Sequence, residues 1–232
     1  LHNFMDWDGA ILTDSGGYQI YSLSEFRKID KNGVEFKSHL DGSKHYFTPE
    51  NIIDIQRIIG SDIMMALDVC PPSDVSKEEH EKAVSLSTEW AKRCITHLNK
   101  EKFIYNHKQI LSPIIQGGTY KDLRLKSANE LLELNAEMYA IGGLAVGEPK
   151  DQMLEIVDYL NGIMPREKPR YLMGVGTPED IIEAIKLGVD MFDCVLPTRN
   201  ARNGQFFTYQ GKMNIKNAKY KNDESPIDEQ NN

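Results

Sequence analysis

The chain has 232 residues, of which 40% are hydrophobic and 27% charged, so it is long enough for one large domain with a substantial core. Its formal net charge of −8 at pH 7 argues against non-specific nucleic-acid binding by the whole surface. No window approaches the ~18 uninterrupted apolar residues of a membrane span, and the first residues do not follow a basic-then-apolar signal pattern, so we expect a cytoplasmic protein without a membrane partner.

Short apolar runs alternate with amphipathic stretches along the chain. The apolar runs predict strands at 10–12, 63–67, 110–115, 138–141, 171–173 and 189–192. The amphipathic stretches predict helices at 50–59, 77–100, 121–134, 152–160 and 178–187. Ser76 and Glu79 stand at capping-box spacing before the second helix. Strands that alternate with helices in this way predict βαβ units and a parallel sheet.

Two segments depart from this alternation. Asn32-Gly33 and Asp41-Gly42 are turn signals flanked by short alternating runs, and they predict a small antiparallel β insertion, a hairpin at about 24–48. Residues 206–215 predict a second hairpin. We expect one domain over 1–222, followed by a polar, disordered tail over 223–232.

Each predicted strand ends in polar or glycine residues. These segments are Thr13-Asp14-Ser15-Gly16-Gly17-Tyr18-Gln19, Asp68-Val69-Cys70, Gln116-Gly117-Gly118, Gly142-Gly143-Leu144-Ala145-Val146-Gly147-Glu148, Gly174-Val175-Gly176 and Asp193-Cys194. In a (β/α)8 barrel all strand carboxyl ends meet at one face, where active sites lie. A single aspartate after a strand is most often a helix N-cap, but three at one edge, with an amide from Gln116, favour a site.

A basic run follows the last of these strand ends. From Arg199 to Lys221 there are two arginines and four lysines, without any Asp or Glu. Scattered lysines usually form a solvated surface, whereas Arg199 and Arg202 come soon after Asp193 and offer the bidentate geometry that suits phosphate. A carboxylate beside a cationic run predicts a site where an anionic polymer meets a nucleophile or a base.

Four of these segments resemble signature segments of the bacterial tRNA-guanine transglycosylases, the queuine tRNA-ribosyltransferases. They are 13–19, 116–118, 142–148 and 193–204, and the similarity runs in order over essentially the whole chain. The resemblance implies a modified TIM (β/α)8 barrel, incomplete in this chain. It also implies exchange of the wobble guanine of a tRNA anticodon for preQ1 in queuosine biosynthesis, with tRNA and the small bases preQ1 and guanine as partners.

The resemblance implies roles for two aspartates. Asp193 matches the nucleophile, which attacks the anomeric carbon of the wobble nucleotide, releases guanine and forms a covalent aspartyl–ribose intermediate that preQ1 then displaces. Asp14 matches the general acid/base, which protonates the departing guanine and takes a proton from the incoming base. These roles require the two carboxyl groups to have different environments.

The resemblance also implies a base-binding set. Asp68 and Gln116 match residues that hydrogen-bond the purine edge. Tyr18 matches an aromatic residue that stacks on the flipped base, although a lone tyrosine there is more often a core residue. The other implied base-binding positions are Ser15, Cys70, Gly143, Leu144, Ala145, Val146, Met173 and Gly174.

Three further details follow from the resemblance. Ala145 and Val146 are typical of the bacterial preQ1-type pocket, where eukaryotic queuine enzymes use smaller residues. Cys70 matches a pocket position, but an ordinary buried small side chain is about equally expected there. The implied contacts to anticodon-arm phosphates are Arg199, Arg202, Lys212 and Lys216.

The sequence departs from the family pattern in its metal ligands and its extent. The family continues into a zinc site of three closely spaced cysteines and a histidine, whereas Cys70, Cys94 and Cys194 lack that spacing. We therefore expect no metal or cofactor held by the residues present, and zinc in the full-length family protein. We also expect a fragment truncated at both ends, without the zinc subdomain. Relatives are homodimers, which leaves a homodimer open for this chain.

Three alternatives stay open at this point. The first is a non-catalytic tRNA-binding relative or an inactive fragment, although a protein that only binds would not need both Asp14 and Asp193. The second is a TIM-barrel glycoside hydrolase, which the segment holding Arg199 and Arg202 and the scarcity of tryptophan disfavour. The third and nearest is an archaeosine-type transglycosylase that uses preQ0.

Overall fold

The computed structural model describes residues 1–23, 26–102 and 104–227. The strands in these ranges are β1 (Leu12–Thr13), β2 (Arg27–Ile29), β3 (Val34–Lys37), β4 (Lys44–Phe47), β5 (Ile63–Met65), β6 (Ile110–Ser112), β7 (Ile114–Ile115), β8 (Tyr139–Ile141), β9 (Arg170–Leu172), β10 (Met191–Phe192), β11 (Gln205–Thr208) and β12 (Gly211–Asn214). Each of the six apolar runs in the sequence overlaps one or two of these strands, although β1 shares only Leu12 with its run and β9 begins one residue before its run.

The parallel strands stand in chain order. One sheet has the order β1-β5-β6 and the other the order β7-β8-β9-β10, and every neighbouring pair is parallel. Pro113 separates β6 from β7, because proline has no N–H to donate to a strand ladder. No pairing joins β10 to β1 within the described ranges. The predicted α/β fold with parallel strands is therefore confirmed.

The helices are α1 (His2–Met5), α2 (Gly17–Leu23), α3 (Pro49–Ile59), α4 (Lys77–Lys100), α5 (Lys121–Leu132), α6 (Lys150–Asn161), α7 (Pro178–Lys186) and α8 (Leu196–Arg202), with a 3-10 turn at Ala218–Tyr220. The predicted capping box of α4 is present, since Ser76 accepts a hydrogen bond from the Glu79 N–H and Glu79 accepts one from the Ser76 N–H. No helix in the described part of the chain is both long and apolar enough to span a membrane.

Three helices have no counterpart among the predicted ones. α1 and α8 are short and contain no buried residue, and α2 lies within the glycine-rich segment after β1, so none has the apolar periodicity that marks a helix in sequence. α6 begins at Lys150 instead of 152, because Pro149 has an extended backbone and the helix starts directly after it. α5 ends at Leu132, two residues before the predicted end.

The insertion is a three-stranded antiparallel sheet, β2-β3-β4, and not the single hairpin that we expected. Its turns fall at the predicted Asn32-Gly33 and Asp41-Gly42 signals. β2 is exposed along its whole length, so it lacks the alternating pattern that would have predicted it. Residues 24 and 25 of the predicted hairpin, and 228–232 of the predicted tail, lie outside the described residues. The second hairpin, β11 with β12, is confirmed.

The two faces of the parallel strands bury different sets of residues. The main core lies between the sheet and the helices and includes Met64, Ile141 and Leu172. The opposite face carries a smaller cluster, in which Met65 and Tyr171 lie. Since side chains of adjacent strand residues point to opposite faces, Tyr171 is directed away from the helices, and its hydroxyl reaches the strand carboxyl ends.

Candidate active site

Asp193 lies one residue after β10 and is exposed. Its Oδ1 accepts hydrogen bonds from the Tyr171 hydroxyl and from the Gly174 N–H, both at 2.7 Å. Both donors come from the end of β9, the neighbouring strand, so the pairing of β9 with β10 fixes the carboxylate. A carboxylate with one oxygen held by two donors and an exposed position is oriented for reaction at its other oxygen.

Tyr171 is 5% exposed and stays a hydrogen-bond donor. Burial, and after it the hydrogen bond to Asp193 and the charges of Asp193 and Asp14, raise its pKa above the ordinary value. The sequence interpretation missed Tyr171 as a site residue, because an aromatic residue in an apolar strand is typical of a core.

Asp68 and Gln116, which the sequence predicted as base-binding residues at two strand ends, follow β5 and β7 and form a buried polar pair. Gln116 Nε2 donates to Asp68 Oδ2 at 2.6 Å, and both side chains are buried. Burial raises the pKa of Asp68 to about 7, the charge of Asp14 adds to the rise, and the Gln116 hydrogen bond opposes it. Gln116 Oε1 is buried and has no hydrogen-bond partner among the described residues.

Asp14 lies one residue after β1, and its Oδ1 accepts a hydrogen bond from the Ser15 N–H at 2.9 Å. Asp14 is exposed and Ser15 is buried. The charge of Asp14 acts on both Asp68 and Tyr171. Asp14 is therefore electrostatically coupled both to the Asp68–Gln116 pair and to the Tyr171–Asp193 pair. This coupling is expected for carboxylates that lie at the same set of strand ends.

Two glycines allow the strand ends to approach one another. A Cβ on Gly17 would stand 2.6 Å from Asp68 Oδ1, which is closer than van der Waals contact permits. Gly143 has φ +62, and a Cβ there would collide with Gln116 Oε1. Both positions require glycine because they border the Asp68–Gln116 pair.

Arg124, in the first turn of α5, is fully buried and was not predicted. Its guanidinium donates to the carbonyls of Ile115, Gly118, Gly142 and Gly143. It thereby joins the segment after β7 to the segment after β8. No signal in the sequence separates this arginine from a surface one, because all its hydrogen-bond partners are backbone groups.

The segment after β8 contains four predicted base-binding residues. Leu144 is buried, Val146 is half-buried and Ala145 is exposed with φ +58. Glu148 accepts hydrogen bonds from the N–H groups of Ala145 and Val146, which fixes this turn. Glu148 ends the glycine-rich segment 142–148, and the structure places it as the acceptor that closes the loop.

The remaining predicted base-binding residues differ in burial. Cys70 is buried, and burial followed by the charge of Asp68 raises the pKa of its thiol to about 12. Tyr18 is 49% exposed on α2, so it is not a core residue. Met173 is half-buried and Gly174 exposed at the end of β9, where Gly174 contacts Asp193.

The predicted phosphate contacts lie on the segment after Asp193. Arg199 and Arg202 are exposed on α8, one helical turn apart. Lys212 and Lys216 are exposed on and just after the hairpin that follows α8, and Lys212 Nζ lies 5.8 Å from the centre of the Phe207 ring. Arg199 and Arg202 belong to α8 and Lys212 to the hairpin, and Lys216 follows the hairpin by two residues.

The described residues do not fit the zinc ion that the resemblance implies for the full-length protein. Within the described ranges no group of three or more His, Cys, Asp and Glu side chains could hold a metal ion. Cys70 and Cys94 are buried, and burial raises the pKa of each thiol to about 12, which disfavours the thiolate form that binds zinc.

The fold and the site define a class: α/β proteins of parallel strands with a set of carboxyl groups gathered at the strand carboxyl ends. A family model described as queuine tRNA-ribosyltransferase matches residues 1–232. The chain therefore belongs to the queuine tRNA-ribosyltransferase family.

Similar proteins named queuine tRNA-ribosyltransferase come from several bacteria. The one from Caldanaerobacter subterraneus subsp. tengcongensis is 55% identical over 230 residues, which are 99% of this chain and 60% of that protein. The one from Acinetobacter baylyi is 54% identical over 228 residues, 98% of this chain and 58% of that protein. A third, from Acinetobacter baumannii strain ACICU, is 54% identical over 228 residues, 98% of this chain and 60% of that protein. The chain thus spans about 60% of the length of these relatives.

Proposed function

We propose that this chain carries the active site of a tRNA-guanine transglycosylase, which exchanges the wobble guanine of a tRNA anticodon for preQ1. The observation that carries the proposal is the Asp193 carboxylate, exposed and held at Oδ1 by Tyr171 and Gly174. A fixed carboxylate at a strand end is a competent nucleophile toward an oxocarbenium-like ribose carbon. The names of the relatives and the family support the substrate class.

The proposed architecture is a TIM (β/α)8 barrel that is incomplete in this chain. Two features support it: the parallel strands follow one another in chain order, and the polar residues gather at their carboxyl ends. The division into a domain at 1–222 and a tail at 223–232 stays a prediction.

In the first step, Asp193 Oδ2 attacks C1′ of the wobble nucleotide. A C1′–O bond forms as the C1′–N9 bond breaks, and the electron pair of that bond leaves with guanine. The protonated Asp14 carboxyl gives its proton to the departing base, so that neutral guanine leaves. The product is a covalent ester between Asp193 and the ribose.

In the second step, preQ1 occupies the place of guanine. Its N9 attacks C1′, and the ester C1′–O bond breaks, which restores the Asp193 carboxylate. Asp14, now ionised, takes the N9 proton of preQ1 and returns to its starting state. The two half-reactions balance without an oxidant, reductant or metal.

The base lies against the Asp68–Gln116 pair. Guanine presents N–H donors at N1 and at the exocyclic amino group, which suit the carboxylate of Asp68. With a pKa of about 7, Asp68 is partly protonated at neutral pH. Hydrogen bonds from the donor edge of the base then favour its ionised form. Tyr18, Met173, Ser15 and Cys70 complete the proposed walls, with Leu144, Ala145 and Val146 on the preQ1 side.

The tRNA contacts that we propose are Arg199, Arg202, Lys212 and Lys216, which would bind anticodon-arm phosphates. Their position directly after the nucleophile supports this, because the phosphates of the wobble nucleotide lie close to its C1′. The preference for preQ1 over related bases, a homodimer and a cytoplasmic location stay predictions. Zinc would bind outside the residues described here.

The experiment that tests the proposal is covalent trapping. Because the chain spans about 60% of its relatives, the complete protein that contains it is incubated with tRNA carrying a wobble guanine and then denatured. We expect a protein–RNA adduct in wild type and at least ~10⁴-fold slower adduct formation in Asp193→Asn, since loss of a nucleophile removes the covalent path. Asp74→Asn, which removes an exposed carboxylate from the loop after β5, is the matched control and keeps the adduct.

Three outcomes contradict the proposal. An adduct in Asp193→Asn at the wild-type level shows that another residue is the nucleophile. Absence of any adduct in wild type favours the binding-only alternative. Release of guanine from an RNA that lacks the anticodon loop contradicts the proposed substrate.

A further inference from the structure

Arg124 presents a buried positive charge that lacks a carboxylate partner within the described ranges. Its side chain is fully buried, and it forms hydrogen bonds only to carbonyls: Nε to Gly118 at 2.7 Å, Nη1 to Ile115 at 2.7 Å and to Gly142 at 2.8 Å, and Nη2 to Gly143 at 3.2 Å. Burial lowers its pKa to about 10, so it remains protonated at neutral pH. Burying a charge in this way is costly, and a neutral residue could fill the same space.

The hydrogen bonds to Gly142 and Gly143 determine where two backbone N–H groups point. In a trans peptide the C=O and the N–H of one unit point in opposite directions. Since the Gly142 carbonyl faces Arg124, the Gly143 N–H points away from Arg124. The Gly143 carbonyl also faces Arg124, so the Leu144 N–H points away from it as well. The Gly143 N–H faces the Cys70 thiol, whose pKa it lowers against the effect of burial, and the charge of Asp68 acts on the same thiol.

The Gly143 backbone lies against the Gln116 amide, since a Cβ on Gly143 would collide with Gln116 Oε1, and Gln116 Nε2 donates to Asp68 Oδ2. On the guanine edge the 6-oxo group, an acceptor, is next to the N1–H, a donor. A carboxylate that accepts from N1–H therefore places the 6-oxo group next to it, where neighbouring donors can reach it. Backbone N–H groups and the Gln116 amide are the donors available there.

We propose that Arg124 is a positioning residue that directs the Gly143 and Leu144 N–H groups toward the 6-oxo group of the base. The inference rests on the proposed function for the identity of the base, but it concerns binding and not the covalent step. Arg124 also donates to the Gly118 carbonyl, so that one guanidinium joins the segments after β7 and β8.

The test compares two bases at equilibrium in the complete protein, without tRNA. The probes are guanine and 6-thioguanine, which share the N1–H and the amino group and differ at position 6, where sulfur is a weaker acceptor. In Arg124→Lys, which keeps the charge but loses the planar fork, we expect guanine affinity to fall about tenfold, equivalent to about 1.4 kcal/mol. We expect 6-thioguanine affinity to fall less than about twofold, so the preference for guanine is largely lost.

The matched control is Arg170→Lys. Arg170 is also buried and also donates to carbonyls, those of Met164 and Gly188, but it lies at the amino end of β9. We expect it to lower the unfolding midpoint and to leave the ratio of the two affinities unchanged. A merely structural role for Arg124 would make its variant behave in the same way as this control, which would overturn the inference.

The remaining outcomes are also decisive. Arg124→Gln serves as a second variant if Arg124→Lys does not fold. If neither folds, Arg124 is a core residue of the fold and the inference of a role specific to the site is rejected. If wild type binds no guanine up to the solubility limit of guanine, the proposed function fails and the inference with it. An unchanged affinity ratio in a wild-type background that binds guanine rejects the inference alone.

Discussion

The two ends of the parallel strands use carboxyl groups in opposite ways. At the amino ends, Asp62 accepts hydrogen bonds from the Ile11 N–H at 2.7 Å and from His2 Nε2 at 3.0 Å. At the carboxyl ends, buried Asp68 has a single side-chain partner, Gln116, whose Oε1 is left without one among the described residues. The first carboxylate is satisfied by the protein, and the second retains capacity for a ligand.

The pKa directions express the same difference. Burial raises the pKa of Asp62, but the Ile11 and His2 hydrogen bonds outweigh it, and the net direction is downward. For Asp68 burial dominates, Asp14 reinforces it, and the net direction is upward. Ionised Asp62 therefore stabilises the fold at the amino ends of the strands, whereas ionised Asp68 destabilises it at their carboxyl ends.

The largest effect that we predict from this comparison is that of Asp68→Asn. A folded-state pKa above the unfolded value means that the native state binds more protons, so wild-type stability falls as pH rises from about 4 to about 7. Asp68→Asn removes this fall and is more stable than wild type at pH 8 by on the order of 3 kcal/mol, while kcat/KM for guanine exchange decreases about 10²- to 10³-fold. Denaturant unfolding at pH 5 and pH 8 measures the first effect.

The pH dependence of binding gives the same prediction a second readout. If the ionised carboxyl binds the donor edge of guanine as proposed, wild-type affinity rises about tenfold between pH 6 and pH 8, and this rise is absent in Asp68→Asn. Equal stabilities of the two proteins at pH 8, or a pH-independent wild-type affinity, would remove the basis of the comparison.

A smaller effect is predicted for Tyr171→Phe, which removes one of the two donors to Asp193. A hydrogen bond to a charged group is worth about 1.5–3 kcal/mol, so adduct formation should slow about 10- to 100-fold, and guanine affinity should not change. Tyr139→Phe is the control, because Tyr139 is a buried tyrosine on β8 that packs in the main core between the sheet and the helices. If adduct formation slows by the same factor in Tyr139→Phe, the effect of Tyr171→Phe comes from a general loss of packing and not from the lost hydrogen bond to Asp193.

The sequence was sufficient for the parts of the molecule that depend on local pattern. The bounds of α4 coincide with the prediction because a capping box begins it and a long amphipathic repeat continues it. The strand ends that carry Asp68, Gln116 and Asp193 were predicted because apolar runs stop abruptly at a polar residue. The electrostatic coupling of Asp14 to Asp68 then follows from parallel strands alone.

The parts that the sequence did not predict depend on tertiary contacts. Arg124 and Tyr171 act through groups that only the folded chain brings near them, a set of carbonyls in one case and a carboxylate 22 residues away in the other. β2 has no buried residue and is held by pairing with β3, so it carries no apolar pattern of its own. In each case the role depends on the group that the folded chain brings near, and the local sequence around the residue does not show that group.

The smallest predicted effect lies at the amino end and tests the other half of the comparison. Since the pKa of Asp62 is lowered in the folded state, its ionised form stabilises the protein above the unfolded pKa, and the contribution is lost as pH falls through the folded value. Asp62→Asn should lower the free energy of unfolding by about 1–2 kcal/mol at pH 7, where the charge that faces His2 is lost, and by much less near pH 3. Denaturant unfolding at the two pH values measures this difference. Guanine affinity should stay at the wild-type value, because Asp62 precedes β5 whereas the proposed base-binding residues follow the strands. A change in guanine affinity in this variant would mean that the two ends of the strands are coupled, and the separation of a structural end from a ligand-binding end would have to be abandoned.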